Sequence, residues 1–515
     1  MKTFRKMFAL LLAALLALSL CACGNAQTDA TDDSGINSVT EQTSVAESAT
    51  GDPASEASDV SAEFPGEPPE GGPGGTPPER PDGNGGPGGS PPEGMNGGPG
   101  GFGGGPGGSS ADIDYAGAVE ISSADTQSSQ TYSSTTSDES ALLISTSDKV
   151  TITDPSVTKS GDSDGGDNCN FYGLNAAVLV KDGTTATITD GTVTSDADGA
   201  NGVFCYGGNG GKNGASGDGT TLIIRDTTIV TTGDGSGGIM TTGGGVTYAY
   251  DLDVTTSGRS SAAIRTDRGG GTVVVDGGTY TSNGLGSPAI YSTADITVSN
   301  ATLTSNLSEG VCIEGLNSIT LNNCDLTANN TQRNGNATFL DTIMIYQSMS
   351  GDAASGTSHF TMTGGSLSSK NGHVFHVTNT NAVITLEGVK IVNEDADNVL
   401  LSVCADGWSG GSNIAECKAI AQRLVGAIKV GSDSSLTLEL TNGSAYEGSI
   451  DGSITNAKGE TVSTEVGTVS VTVDSTSTWT LTGDSYVTEF SGSAANVITN
   501  GYTLYVNGVA LSGTN

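Results

Sequence analysis

Phe204, Met240, Arg265, Tyr291 and Glu314 each follow an aliphatic residue, Val203, Ile239, Ile264, Ile290 and Ile313 in turn. If those aliphatic residues point inward from stacked strands, the five that follow point outward one rung apart, because side chains alternate along a strand. Tyr206 and Asp267 lie two residues further along the same face. Aromatic rings stack on sugar rings, and Arg and Glu hydrogen-bond hydroxyls or carboxylates, so the column reads as a carbohydrate-binding face. The competing reading makes these residues ordinary wall beneath a loop. In Arg265-Thr266-Asp267-Arg268 a cation and an acid meet on that face, and a general acid or base would be sought there first.

A second constellation is acidic. Asp162, Asp164 and Asp167 crowd one glycine-rich stretch, Asp196 and Asp198 the next repeat, and Asp198 and Asp234 occupy the same place in consecutive repeats. Stacked carboxylates about 5 Å apart repel unless a cation lies between them, which makes calcium the candidate cofactor and Asp196, Asp198 and Asp234 its candidate ligands. EF-hand spacing is not met, and solvated turn acids account for the same residues. His359, His373 and His376 have no nucleophile spaced near them. No CxxC or His cluster suggests zinc. Cys404 and Cys417 flank one loop and form a reasonable disulfide in an exported protein, although six cysteines allow 15 pairings.

What must position these groups is a repeat. An apolar residue, one residue, then Asp, Asn or Gly, two residues and a second apolar residue recur eight times between Ile188 and Ile391. The third place holds Asp190, Asp226, Asp251, Gly277, Asn300, Asn323, Gly364 and Gly388, the residue types that enter the left-handed region most cheaply. Short strands, a bend column and a period near 23 residues predict an all-β, right-handed parallel β-helix over 111–475, with 476–515 supplying the last rungs and a cap. One segment breaks the pattern: Asn413-Ile-Ala-Glu416 resembles a capping box, and the apolar spacing to Gly426 predicts a short helix laid on the rod.

Before residue 111 the chain changes character. Lys2, Arg5 and Lys6 precede an apolar run from Met7 to Leu20, too short to span a bilayer and right for an export signal over 1–22. Residues 23–110 are Ser/Thr/acidic and then Gly/Pro-rich, with 20 Gly and 12 Pro between Phe64 and Gly108, and read as a disordered tether. A net charge of −38 disfavours nucleic acid and anionic lipid as partners.

Leu20-Cys21-Ala22-Cys23 resembles a bacterial lipobox, which implies lipidation at Cys23, membrane attachment through that anchor only, and display on the extracellular face of the cell membrane. With the Gly-Pro-Glu linker, Gly173-Leu-Asn-Ala-Ala-Val178, Tyr346-Gln-Ser-Met-Ser-Gly-Asp352 and Trp479-Thr-Leu-Thr-Gly-Asp-Ser-Tyr486, the chain looks like the β-helix surface lipoproteins of clostridia-type bacteria. That resemblance implies a carbohydrate-binding or adhesin-like function, with a polysaccharide or a host or cell-surface glycan as partner. The alternative is a polysaccharide lyase or glycoside hydrolase acting on an acidic glycan. Gly372-His373-Val374 is only a fragment of the Gly-His-Gly element of β-helix galacturonases, and their Arg-Ile-Lys element is missing.

Overall fold

Left-handed backbone sits where the bend column requires it. In the computed structural model, which describes residues 113–515 apart from 211–215, φ is positive at all eight column positions, from 47° at Asp226 to 79° at Gly277. Asp154, Ala421 and Asn442 extend the column at both ends. Each bend turns the chain between two short strands, and repetition stacks the strands in parallel.

The result is a parallel β-helix with three long faces. Sheet one has 13 strands, sheet two 14 and sheet three ten, every neighbouring pair parallel, and the coils as far as Lys390–Asn393 visit the sheets in the order one, two, three. One coil runs through Ile290–Ser292, Asp295–Ser299, the bend at Asn300 and Thr302–Ser305. A single core fills the tube. Val203, Ile239, Ile264 and Ile290 enter it from sheet one, Ile296 and Val298 from sheet two, and Tyr280 and Leu303 from sheet three. Burying such a side chain contributes about 1.5–3 kcal/mol, and each stacked strand also satisfies the edge of the one before.

Polar ladders hold the turns as well. Between sheets three and one, Ser236, Ser261 and Ser287 stack, each hydroxyl accepting the amide N–H of the preceding rung at 2.9 Å. At the C-terminal end Trp479 is buried against Tyr446, with ring centroids 5.6 Å apart, and Ser485–Val487, Leu504–Val506 and Val509–Ala510 form a small closing sheet.

The helix lies elsewhere than expected. Asn413–Ile420 is a strand of sheet two, paired in parallel with Thr380–Glu387 and Ser434–Thr441. Its burial alternates, with Ala415, Cys417 and Ala419 inward, so the period-two pattern of small core residues prevails over the capping-box resemblance. The α-helix among the described residues is Asp167–Tyr172, with Cys169, Asn170, Phe171 and Tyr172 buried. The export signal, Cys23 and the tether lie outside the described residues.

Candidate functional site

The outward column of sheet one exists, and it is covered. Phe204, Met240, Arg265 and Tyr291 stand in register on consecutive rungs. The next member is Cys312, since the turn after Leu303 is two residues shorter and Val311, not Ile313, pairs with Ile290. Glu314 therefore falls in the neighbouring column, in register with Tyr346. All seven residues expected to bind carbohydrate are buried: Phe204 and Met240 at 0% exposure, Arg265, Asp267 and Glu314 at 2%, Tyr291 at 5% and Tyr206 at 7%.

The covers are long turns whose packing the repeat does not encode. Phe171 and Tyr172 of the helix close over Phe204, Tyr206 and Met240. Trp408 closes over Tyr291 and Tyr346. Arg265 pairs with Asp267 at 2.7 Å and donates to Asn170 Oδ1 at 3.0 Å. Tyr291 and Tyr346 both donate to Glu314, at 2.6 and 3.2 Å. Arg268 binds Asp352 at 2.7 Å while its guanidinium lies 4.1 Å from the Phe171 ring centre, tying two covers together. Burial, only partly offset by Arg265, pushes the Asp267 carboxyl up to about 7, and burial also raises Glu314. This network is wall, and the column is corrected accordingly.

Further along the same face, His373 and His376 each place Nδ1 2.7 Å from Ser402 Oγ, and His376 Nε2 faces Asp406 Oδ2 at 3.4 Å. One hydroxyl carries one proton, so at most one of the two ring nitrogens accepts it and the other donates to the oxygen. Asp406 also accepts from the Thr338 amide and hydroxyl, at 2.7 and 2.6 Å, fastening the turn that carries Phe339 over both rings. Burial holds the His373 imidazole down at about 3, with His376 and Lys429 adding to the effect. Ser402 and His376 are fully buried.

The aspartates stack as expected. Asp162 accepts from the Asp198 amide, Asp198 from the Asp234 amide and Asp234 from the Arg259 amide, at 2.7–3.0 Å. One oxygen of each is thus spent on the next rung. A cleft of about 260 Å³ lined by Asp164, Asn170, Asp198 and Asp234 opens beside them, while Asp196 is exposed and outside it. Among the described residues no three acidic, histidine or cysteine side chains gather closely enough to hold a metal ion.

The disulfide is not formed. All six described cysteines are buried free thiols. Cys417 points into the core, whereas Cys404 packs outside the wall against Phe339 and Ile454. Strand alternation thus puts the two on opposite sides of the coil.

An open site lies at the turn from sheet one to sheet two. A hollow of about 500 Å³ follows this corner past Gly244, Gly270, Thr293, Leu316 and Thr357, one residue from each rung. A second, of about 310 Å³, continues it past Gly356, Asn379 to Asn381 and Gly410 to Ser412. Together they follow seven consecutive rungs, ~30 Å of rod at ~4.8 Å per rung. On the sheet-two side Asp295, Ser318 and His359 stand in register, and Ser318 Oγ donates to Asp295 Oδ1 at 2.6 Å. Asp295 and His359 are exposed and Ser318 half-buried. Hydroxyls, amides, one carboxylate and one imidazole can hydrogen-bond a polyol. Among the described lining residues there is no second carboxylate and no Lys or Arg.

Family models, characterised proteins and solved structures were each compared with the chain, and none matches it.

Proposed function

We propose that this protein is a lipid-anchored, surface-displayed β-helix that binds a polysaccharide along the corner groove without cleaving it. The observation that carries the reading is the groove itself: open, seven rungs long, and lined by neutral hydrogen-bonding groups with Asp295, Ser318 and His359 along one side. A chain-like ligand suits a trough whose lining repeats along the rod, and preformed concave sites with a few convergent polar groups are where ligands bind. Paired-carboxylate glycoside cleavage needs two acids on either side of the bond, and the described lining offers one.

The lipobox resemblance at Cys23 supports attachment, and the Gly/Pro-rich segment after it supports display away from the membrane. Retention of the protein on a panel of soluble polysaccharides, compared with Asp295→Ala and His359→Ala, is the test. Unchanged retention in both variants removes the groove from the account, and release of new sugar ends by the wild type replaces binding with catalysis.

A further inference from the structure

The body of the rod keeps its large apolar side chains inside, with three exceptions. Leu316 is 52% exposed, Met349 44% and Ile414 42%; every other exposed large hydrophobic among the described residues, from Tyr486 to Val509, belongs to the C-terminal end. Two of the three line the corner groove and the third adjoins it. Leu316 lines the first hollow and Met349 the second. Ile414 pairs in register with Asn381, which lines the second hollow, and Asn381 pairs with Thr357, which lines the first.

Two of them are held in place deliberately. A Cβ on Gly356 would come within 2.7 Å of Leu316 Cβ, so only glycine leaves room for Leu316 at the rim. Met349 has φ 63°, a left-handed conformation that a bulky residue occupies only against strain. Its amide donates to Gln347 Oε1 at 3.1 Å, and the Gln347 carbonyl accepts from Asn379 Nδ2 at 2.6 Å, fixing the turn. The fold tolerates strain here in order to hold an apolar side chain in water.

Resting on the groove reading above, we infer that Leu316, Met349 and Ile414 are apolar contacts for sugar-ring faces, and that the ligand is a neutral, β-linked chain of gluco- or xylo-configured pyranoses. Equatorial hydroxyls leave the axial C–H bonds to form two apolar ring faces with polar edges. An extended β-linked chain presents ring faces on two sides and hydroxyl edges on the other two, at a repeat close to one rung of the rod. The groove offers both kinds of contact rung by rung, Leu316 beside Ser318 and Met349 ahead of His359, with Asp295 on the rung before, Asn381 on the rung after and Ile414 one rung further. An axial hydroxyl, as in galacto- or manno-configured chains, interrupts the apolar face. A uronate meets Asp295 and a chain of net charge −38.

The test is affinity electrophoresis of the full chain in mixed-linkage β-glucan, xylan, galactomannan and polygalacturonate. Wild type is expected to be retarded by the first two at least tenfold more strongly than by the last two. Leu316→Ser and Ile414→Ser are each expected to weaken that retardation about fivefold or more with unfolding temperature unchanged. Met349→Gly separates roles that a purely structural residue would not: relief of strain raises thermal stability while glucan binding falls, and Met349→Leu restores binding. Equal retardation in galactomannan or polygalacturonate overturns the inference. So does unaltered glucan binding in all three apolar variants; if Asp295→Ala still weakens binding in that case, the groove reading stands without it. Retardation by no polysaccharide removes both.

Discussion

Asn300 and Asn323 show how much one residue decides. Their φ angles are 56° and 52°, and their side chains form a ladder, Asn323 donating to Asn300 at 3.0 Å and Asn300 to Asp276 at 2.7 Å. Asn323→Val forces a β-branched residue into left-handed backbone and is expected to cost more than about 1 kcal/mol, whereas Asn323→Gly loses only the exposed ladder bond and costs less than half as much. Chemical denaturation of both variants measures this, and equal costs would contradict the bend assignment. Asp267 gives a pH-dependent counterpart. Its carboxyl ordinarily ionises near 3.8 and in the fold near 7, so the folded state holds a proton that the unfolded chain has released between those values. That contribution is fully present below about 3.8 and is lost as pH rises through about 7. The unfolding temperature of wild type should therefore fall relative to Asp267→Asn between pH 4 and 7, and a constant difference would contradict it.

At the scale of elements, the turns decide more than the strands. Ser261 accepts the Ser236 amide and donates to the Gly233 carbonyl, all fully buried. Ser261→Ala leaves an N–H without a partner and is expected to lower stability by about 1–3 kcal/mol, read by denaturant unfolding. A cost under 0.5 kcal/mol would mean that the serine ladder adds little. The strands and bends were legible in the sequence because inward Ile and Val and left-handed Asp, Asn and Gly recur at fixed offsets. The covers were not, because Phe171, Trp408 and Phe339 meet their partners across many residues and obey no repeat. Hence the outward column is legible as far as Tyr291, whereas the choice between an open face and a wall beneath a loop is not. The segment from Asn413 misled because capping chemistry is local, whereas the register with Thr380–Glu387 and Ser434–Thr441 comes from the stack. Asp295, Ser318 and His359 did carry a signal: each lies five residues before its bend residue, Asn300, Asn323 and Gly364. Counting back from the bend aligns them; counting forward, as for Val203 to Ile290, passes them by.

For the whole molecule, a solenoid separates stability from function. Each coil is held by its two neighbours and the common core, so exposed corner residues can change without loss of the rod. The groove draws its exposed groups, Asp295, Leu316, Met349 and His359, from such residues, while the charged groups that first attract attention, Arg265, Asp267 and Glu314, are sealed beneath the covers. The most direct measurement of the central claim is isothermal titration of the full chain with a soluble β-glucan, for wild type and for Asp295→Ala combined with His359→Ala, alongside Arg265→Ala. The account predicts binding by wild type, at least tenfold weaker binding by the groove variant with its unfolding temperature unchanged, and a loss of thermal stability confined to Arg265→Ala. Undiminished binding by the groove variant, or loss of binding in Arg265→Ala while the fold stays fully stable, would contradict it.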